Sequence, residues 1–105
     1  MDIAMFEGND AGYRAWLTIH PDGYVLNTRR GIDPAYMVLH RAGCHSISQY
    51  AANAPEGAFT ERNYIKVCAS DLDEMRNWVR SNGRPDGSFS KECGFCRPRR
   101  GPSRG

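Results

Sequence analysis

A chain of 105 residues, 40% hydrophobic and 25% charged, has the composition of one small globular domain, which excludes an intrinsically disordered protein. Its net charge of +2 is uneven: residues 97–105, RPRRGPSRG, hold four of the 14 Lys and Arg and none of the 12 acids, leaving 10 bases against 12 acids, or −2, over residues 1–96. That balance excludes a body that binds nucleic acid by bulk charge, and no apolar run approaches the roughly 20 residues of a membrane span.

The opening MDIAMFEGND carries an acid at position 2 and no signal-type apolar stretch, so a cytoplasmic location with reduced thiols is expected. A first helix is expected from about Asp10 to Ile19. Asn9 or Asp10 can cap it, and Tyr13, Trp16 and Leu17 fall on one apolar face. Pro21 ends it, and Asp22-Gly23 turns the chain into a strand over YVLNTR, 24–29. GIDP is a turn, and AYMVLH, 35–40, is the second strand of a hairpin. An irregular stretch, QYAANAPEGAFTERN, separates it from a third strand, YIKVC, 64–68. SDLDEMRNWVRSNG then carries a helix: Ser70 or Asp71 caps it, Leu72, Met75, Trp78 and Val79 form its apolar face, and Gly83 suits its left-handed end. The order is helix, three strands, helix. That is a small α+β domain over 1–96, followed by a basic flexible tail over 97–105 whose composition cannot order itself.

Two short stretches carry the chemistry. LHRAGCHSI places His40 four residues before Cys44, and KECGFCRP places Cys93 three before Cys96. Zinc takes four ligands at tetrahedral corners from thiolate sulfur and imidazole nitrogen, and structural sites are closed. A turn after a strand brings His40 and Cys44 toward one point, and a tight Cys-x2-Cys turn directs two thiolates inward. The expected ligands are therefore His40, Cys44, Cys93 and Cys96, with zinc as the cofactor. Cys68, at the end of the third strand, is an alternative ligand giving an all-thiolate set. A buried small hydrophobe is the commoner fate of such a residue. A redox dithiol fits poorly, because the Cys-x2-Cys runs into Arg97 and Pro98 rather than opening a helix that would lower a thiol pKa.

LHRAGC followed by CGFCRP resembles the N-terminal metal-binding domain of Ada-type DNA repair proteins, over roughly residues 22–98. The chain is also similar to an uncharacterised actinobacterial family, through Gly23 to Asn27, His40 to Ile47, Tyr64 to Ala69 and Cys93 to Cys96. The resemblance implies zinc at His40, Cys44, Cys93 and Cys96. In Ada-type domains the first Cys of the first pair accepts a methyl group. Here His40 stands at that position, and a zinc-bound imidazole is not the thiolate nucleophile such chemistry needs. The gap between the two pairs is also longer than in that family.

The remaining polar residues have structural readings. His45 adjoins Cys44 and is expected to be exposed, and His20 sits at a helix end, where it suits the dipole. Arg29, Arg30, Arg41, Arg62, Lys66, Lys91 and Arg97 are expected near the metal end. Of these, Arg29, Arg41, Lys91 and Arg97 are candidates for phosphate contact. The expected protein is a monomeric, non-catalytic zinc module. Nucleic acid is the first candidate partner, a protein partner is the alternative, and a zinc-thiolate methyl acceptor is the remote one.

Overall fold

The computed structural model describes residues 3–44 and 64–93. Among these residues, seven elements follow one another: β1 (Ala4–Phe6), α1 (Asp10–Ile19), β2 (Tyr24–Arg29), β3 (Met37–Arg41), β4 (Tyr64–Ala69), α2 (Leu72–Ser81) and β5 (Lys91–Glu92). The fold is a small α+β domain. Its five strands form one sheet in the order β1-β4-β2-β3-β5, where three strands were expected from the sequence. The two additional strands are short and lie at the edges. β1 pairs antiparallel with β4 and β5 pairs parallel with β3, while the β2–β3 and β2–β4 pairs are antiparallel. Among the described residues, no helix is long and apolar enough to cross a membrane.

Both helices form where local sequence starts them. The Asn9 side chain accepts the Gly12 N–H at the head of α1. The Asp71 side chain does the same for Glu74 at the head of α2. Each satisfies a backbone donor that has no partner inside the helix. At the end of α2, Gly83 adopts a φ of +114°, and the Arg84 N–H closes back on the Val79 carbonyl at 2.9 Å. This is a Schellman ending, which glycine alone makes without strain. A side chain at Gly83 would also run into the Pro34 ring. The hairpin's second strand begins at Met37, two residues later than expected. Asp33 binds the Ala35 N–H with its carboxylate and the Tyr36 N–H with its carbonyl, which holds those residues in a turn.

The pleat sorts the side chains onto two faces. Leu26, Met37, Leu39, Val67 and Ala69 share one face and pack against Met75 and Val79 of α2. Val25 and Cys68 lie on the other, packed with Tyr13 of α1 and with Ala42, Cys44 and Cys93. The helices thus cover opposite faces of the sheet. Each buries the apolar stripe expected of it, with Trp16 and Leu17 at the edge of one core and Leu72 and Trp78 at the edge of the other.

Candidate metal centre

The α1 face gathers the ligands. His40 lies on β3 directly opposite Val25 of β2, which lies opposite Cys68 of β4. After Arg41 the chain turns: the Cys44 N–H bonds the Arg41 carbonyl at 3.0 Å, and the Ala42 N–H bonds the Gly23 carbonyl at 2.9 Å. That turn folds Cys44 back beside His40.

Cys93 arrives from the other end of the chain by a braced route. Beyond α2, the Arg84 guanidinium donates to the Ser88 carbonyl at 2.9 Å and to the Pro34 carbonyl at 2.7 Å, tying the loop to the β2–β3 turn. Asp86 accepts from both the N–H and the hydroxyl of Ser88, and these bonds hold its carboxyl below the usual carboxylate range. Ser90 then exchanges two bonds with Met37, its N–H to the carbonyl at 3.0 Å and its hydroxyl accepting the Met37 N–H at 2.7 Å. From there β5 runs alongside β3, and the Cys93 N–H reaches the Leu39 carbonyl at 2.9 Å. Cys93 is thereby set next to His40.

The ligand atoms of His40, Cys44 and Cys93 all lie within 4.8 Å of one another, and all three residues are buried. The two sulfurs are 3.7 Å apart. A disulfide would hold them at about 2.05 Å. Two thiolates on one tetrahedral zinc, each about 2.3 Å from it, would lie about 3.8 Å apart. The spacing is compatible with a shared ion, and in the metal-free protein it is that of a hydrogen bond between the two thiols. Burial, and then the Lys66 charge, lower the His40 pKa to about 4, so its imidazole is neutral near pH 7 and a nitrogen lone pair is available to a metal. The arrangement can hold a metal ion.

Cys68 is not part of this group. Its strand lies two strands from β3, a lateral separation of about 10 Å, and Val25 fills the row between. Burial pushes its thiol far above the ordinary range, against a smaller opposing effect of Lys66. It is a core residue beside Tyr13. Cys96, Arg97 and His45 lie outside the described residues.

No family model, curated protein or solved structure matches this chain. The site is therefore assigned on its own geometry.

Among the described residues, the candidate phosphate-binding cations Arg29, Arg41 and Lys91 do not converge; Arg62, like Arg97, lies outside them. Arg29 lies at the opposite end of β2 from Val25, paired with Tyr64. It bridges to Asp33 at 3.4 Å and sits over the Tyr36 ring at 4.8 Å. Arg30 is bound to Glu7 at 3.0 Å. Arg41 is opposite Tyr24, so it projects from the face away from His40. Lys91 lies on β5, opposite Val38. Adjacent strands place these residues at both ends and on both faces of the sheet, so among the described residues Arg29 and Arg41 lie away from the site, whereas Lys66 shares the His40 face. His20 behaves as expected: its N–H closes on the Trp16 carbonyl, and its ring stacks on the Trp16 ring at 4.3 Å.

Sequence reasoning missed a polar cluster on the same face. Lys66 is 4% exposed and Asp10 is 6% exposed. The Lys66 ammonium donates to Asn27 Oδ1 at 2.7 Å and lies 5.9 Å from the Tyr13 ring centroid. Burial lowers its pKa to about 8, although the Asp10 and Cys68 charges act to raise it. Burial, with Cys68, Cys44 and Asp10 nearby, keeps the Tyr13 phenol protonated far above its usual range. The available signal was the position of Lys66 between Ile65 and Val67 in a strand, which reads as solvent-facing only when one face of the sheet is open.

Proposed function

We propose that this protein is a non-catalytic zinc module in which the ion joins the turn after β3 to the C-terminal segment that begins at β5. Zinc is the metal best suited to two thiolates and an imidazole at this spacing. Cys96, three residues beyond Cys93, is the proposed fourth ligand. The carrying observation is the approach of His40, Cys44 and Cys93 within 4.8 Å, delivered from two stretches far apart in the chain. The burial of all three favours a structural site over a catalytic one, which keeps an open position for water or substrate. β5 is only two residues long, so a metal is the natural reinforcement of its pairing with β3.

The test is zinc content by elemental analysis of the purified wild type and five variants. Zinc near one equivalent is expected in the wild type and in Cys68→Ser, with loss in His40→Ala, Cys44→Ser, Cys93→Ser and Cys96→Ser. Retention in His40→Ala together with loss in Cys68→Ser would replace this site with an all-thiolate one. Nucleic acid remains the proposed partner through the four arginines of residues 97–105, which the metal would anchor at their root. Affinity for single- or double-stranded DNA or RNA should then fall steeply with salt and vanish when those arginines are changed to Ala.

A further inference from the structure

The same two sulfurs that fit an ion also fit each other. Cys44 and Cys93 are 49 residues apart in sequence and 3.7 Å apart at their sulfurs. Their position does not depend on side-chain choice alone. The Cys44 N–H is fixed to the Arg41 carbonyl and the Cys93 N–H to the Leu39 carbonyl, so the sheet presents one sulfur to the other. Closing to a disulfide requires an approach of about 1.7 Å between the sulfurs. Cys68 lies on β4, beyond Val25, and is not a competitor. The competitor is Cys96, which forms a Cys-x2-Cys pair with Cys93.

We propose that Cys44 and Cys93 form a redox pair that a peroxide closes when the metal is absent, and that the resulting disulfide replaces the metal as the latch between the β3 turn and β5. The latch role rests on the zinc reading above, whereas the pairing of the two sulfurs does not. The chemistry balances with one peroxide. One cysteine sulfur attacks the peroxide, an S–O bond forms as the O–O bond breaks, and water leaves once the departing oxygen is protonated. The second sulfur attacks the resulting sulfenic acid, the S–S bond forms as the S–O bond breaks, and a second water leaves. The two thiols lose two electrons and two protons in all, and the peroxide is reduced to water. A protein that has lost its ion to oxidation would keep its C-terminal segment docked, and reduction would make the site ready to bind metal again.

Trypsin separates the partners, cutting after Arg41, Arg62 and Lys91 but not between Arg97 and Pro98. Cys44 then falls in peptide 42–62, and Cys93 and Cys96 fall together in 92–99. The chelated, reduced protein is treated with one equivalent of hydrogen peroxide and mapped without reductant. The expected product is 42–62 joined to 92–99, formed also in Cys96→Ser and absent from Cys44→Ser and Cys93→Ser. Peptide 92–99 recovered unjoined and lighter by two hydrogens would mean that Cys93 pairs with Cys96, and it would overturn the proposal. Hydrogen exchange at the Cys93 amide tests the latch. Exchange in the oxidised protein should be as slow as in the zinc-loaded protein and at least tenfold slower than in the reduced, metal-free protein. Exchange as fast as in the reduced form would defeat the latch. Zinc content is measured separately, so the two readings can fail apart. A protein that binds zinc but closes Cys93 on Cys96 keeps the module and loses the redox pair. One that joins Cys44 to Cys93 but never binds zinc keeps the pair and loses the module.

Discussion

Leu26 and Val25 are neighbours on β2, and they face two different interiors. Leu26 joins Met37, Leu39, Val67, Ala69, Met75 and Val79 under α2, a cluster made of hydrocarbon and thioether side chains. Val25 sits under α1 among Tyr13, Ala42, Cys44, Cys68 and Cys93, with His40, Lys66 and Asp10 buried on the same side of the molecule. A domain of this size buries a modest share of its surface and is stable by a small margin. It can place polar groups under one helix because the other helix covers a largely apolar core. The α2 face is the more apolar interior, and the α1 face holds the candidate metal ligands. Truncating the α2 face at its centre, by Leu26→Ala, should therefore have the largest effect on stability. The side chain is fully buried, and its loss should cost about 2–5 kcal/mol. The cost should be the same with zinc and with chelator, by urea denaturation. A loss that appears only after chelation would mean that the two interiors are one unit, and the comparison would collapse.

A smaller effect sharpens the comparison from the other side, because among the described residues only the α1 face contains a buried amine. The Lys66 pKa is lowered from 10.5 to about 8 by burial, so the folded state carries a desolvated ammonium at neutral pH. Below about pH 8 both folded and unfolded chains hold the proton, and the penalty is present in full. Above it the folded protein releases the proton while the unfolded chain keeps it, so stability rises with pH. The rise should be about 1 kcal/mol between pH 7 and pH 9. Above about pH 9 the raised thiol of Cys68 acts in the opposite sense, since the unfolded chain then loses a proton that the folded one retains. The measurement is the difference in stability between the metal-free wild type and Lys66→Met across that window. A flat difference would mean that the Lys66 ammonium is as well solvated inside the fold as outside it.

What could be read from the sequence divides along similar lines. α1 and α2 were legible because their signals are local. Asn9 and Asp71 cap within three residues, and the apolar spacing repeats within each helix. His40, Cys44 and Cys93 were legible because each motif is short and their meeting needs only β5 beside β3. β1 and β5 were not legible. Three residues and two residues cannot display an alternation, and their extended form is conferred by the strands they pair with. The burial of Lys66 was not legible for a related reason. Alternating polar and apolar residues predict exposure only when one face of a sheet meets water, and here a helix covers each face. Arg29 and Arg41 misled differently: the hairpin carried one to the far end of the sheet and turned the other to the opposite face.

The smallest predicted effect probes how dry the α2 interior is. Thr28 is fully buried and aligned with Met37 and Ile65, so it belongs to the face that Leu26 occupies. Its hydroxyl oxygen has no hydrogen-bond partner among the described residues. A buried hydroxyl without a partner gives up its bonds to water and gains none in return. Valine has nearly the same shape and no such requirement. Thr28→Val should therefore stabilise the protein by about 1 kcal/mol, which for a domain of this size raises Tm by roughly 4–8 °C. Thermal unfolding of the metal-free protein keeps the candidate metal site out of the comparison. A loss of similar size would show that the Thr28 hydroxyl is bonded in solution, most simply to an internal water. The α2 face would then share the polar character of the α1 face, and what separates the two interiors would reduce to the three candidate metal ligands.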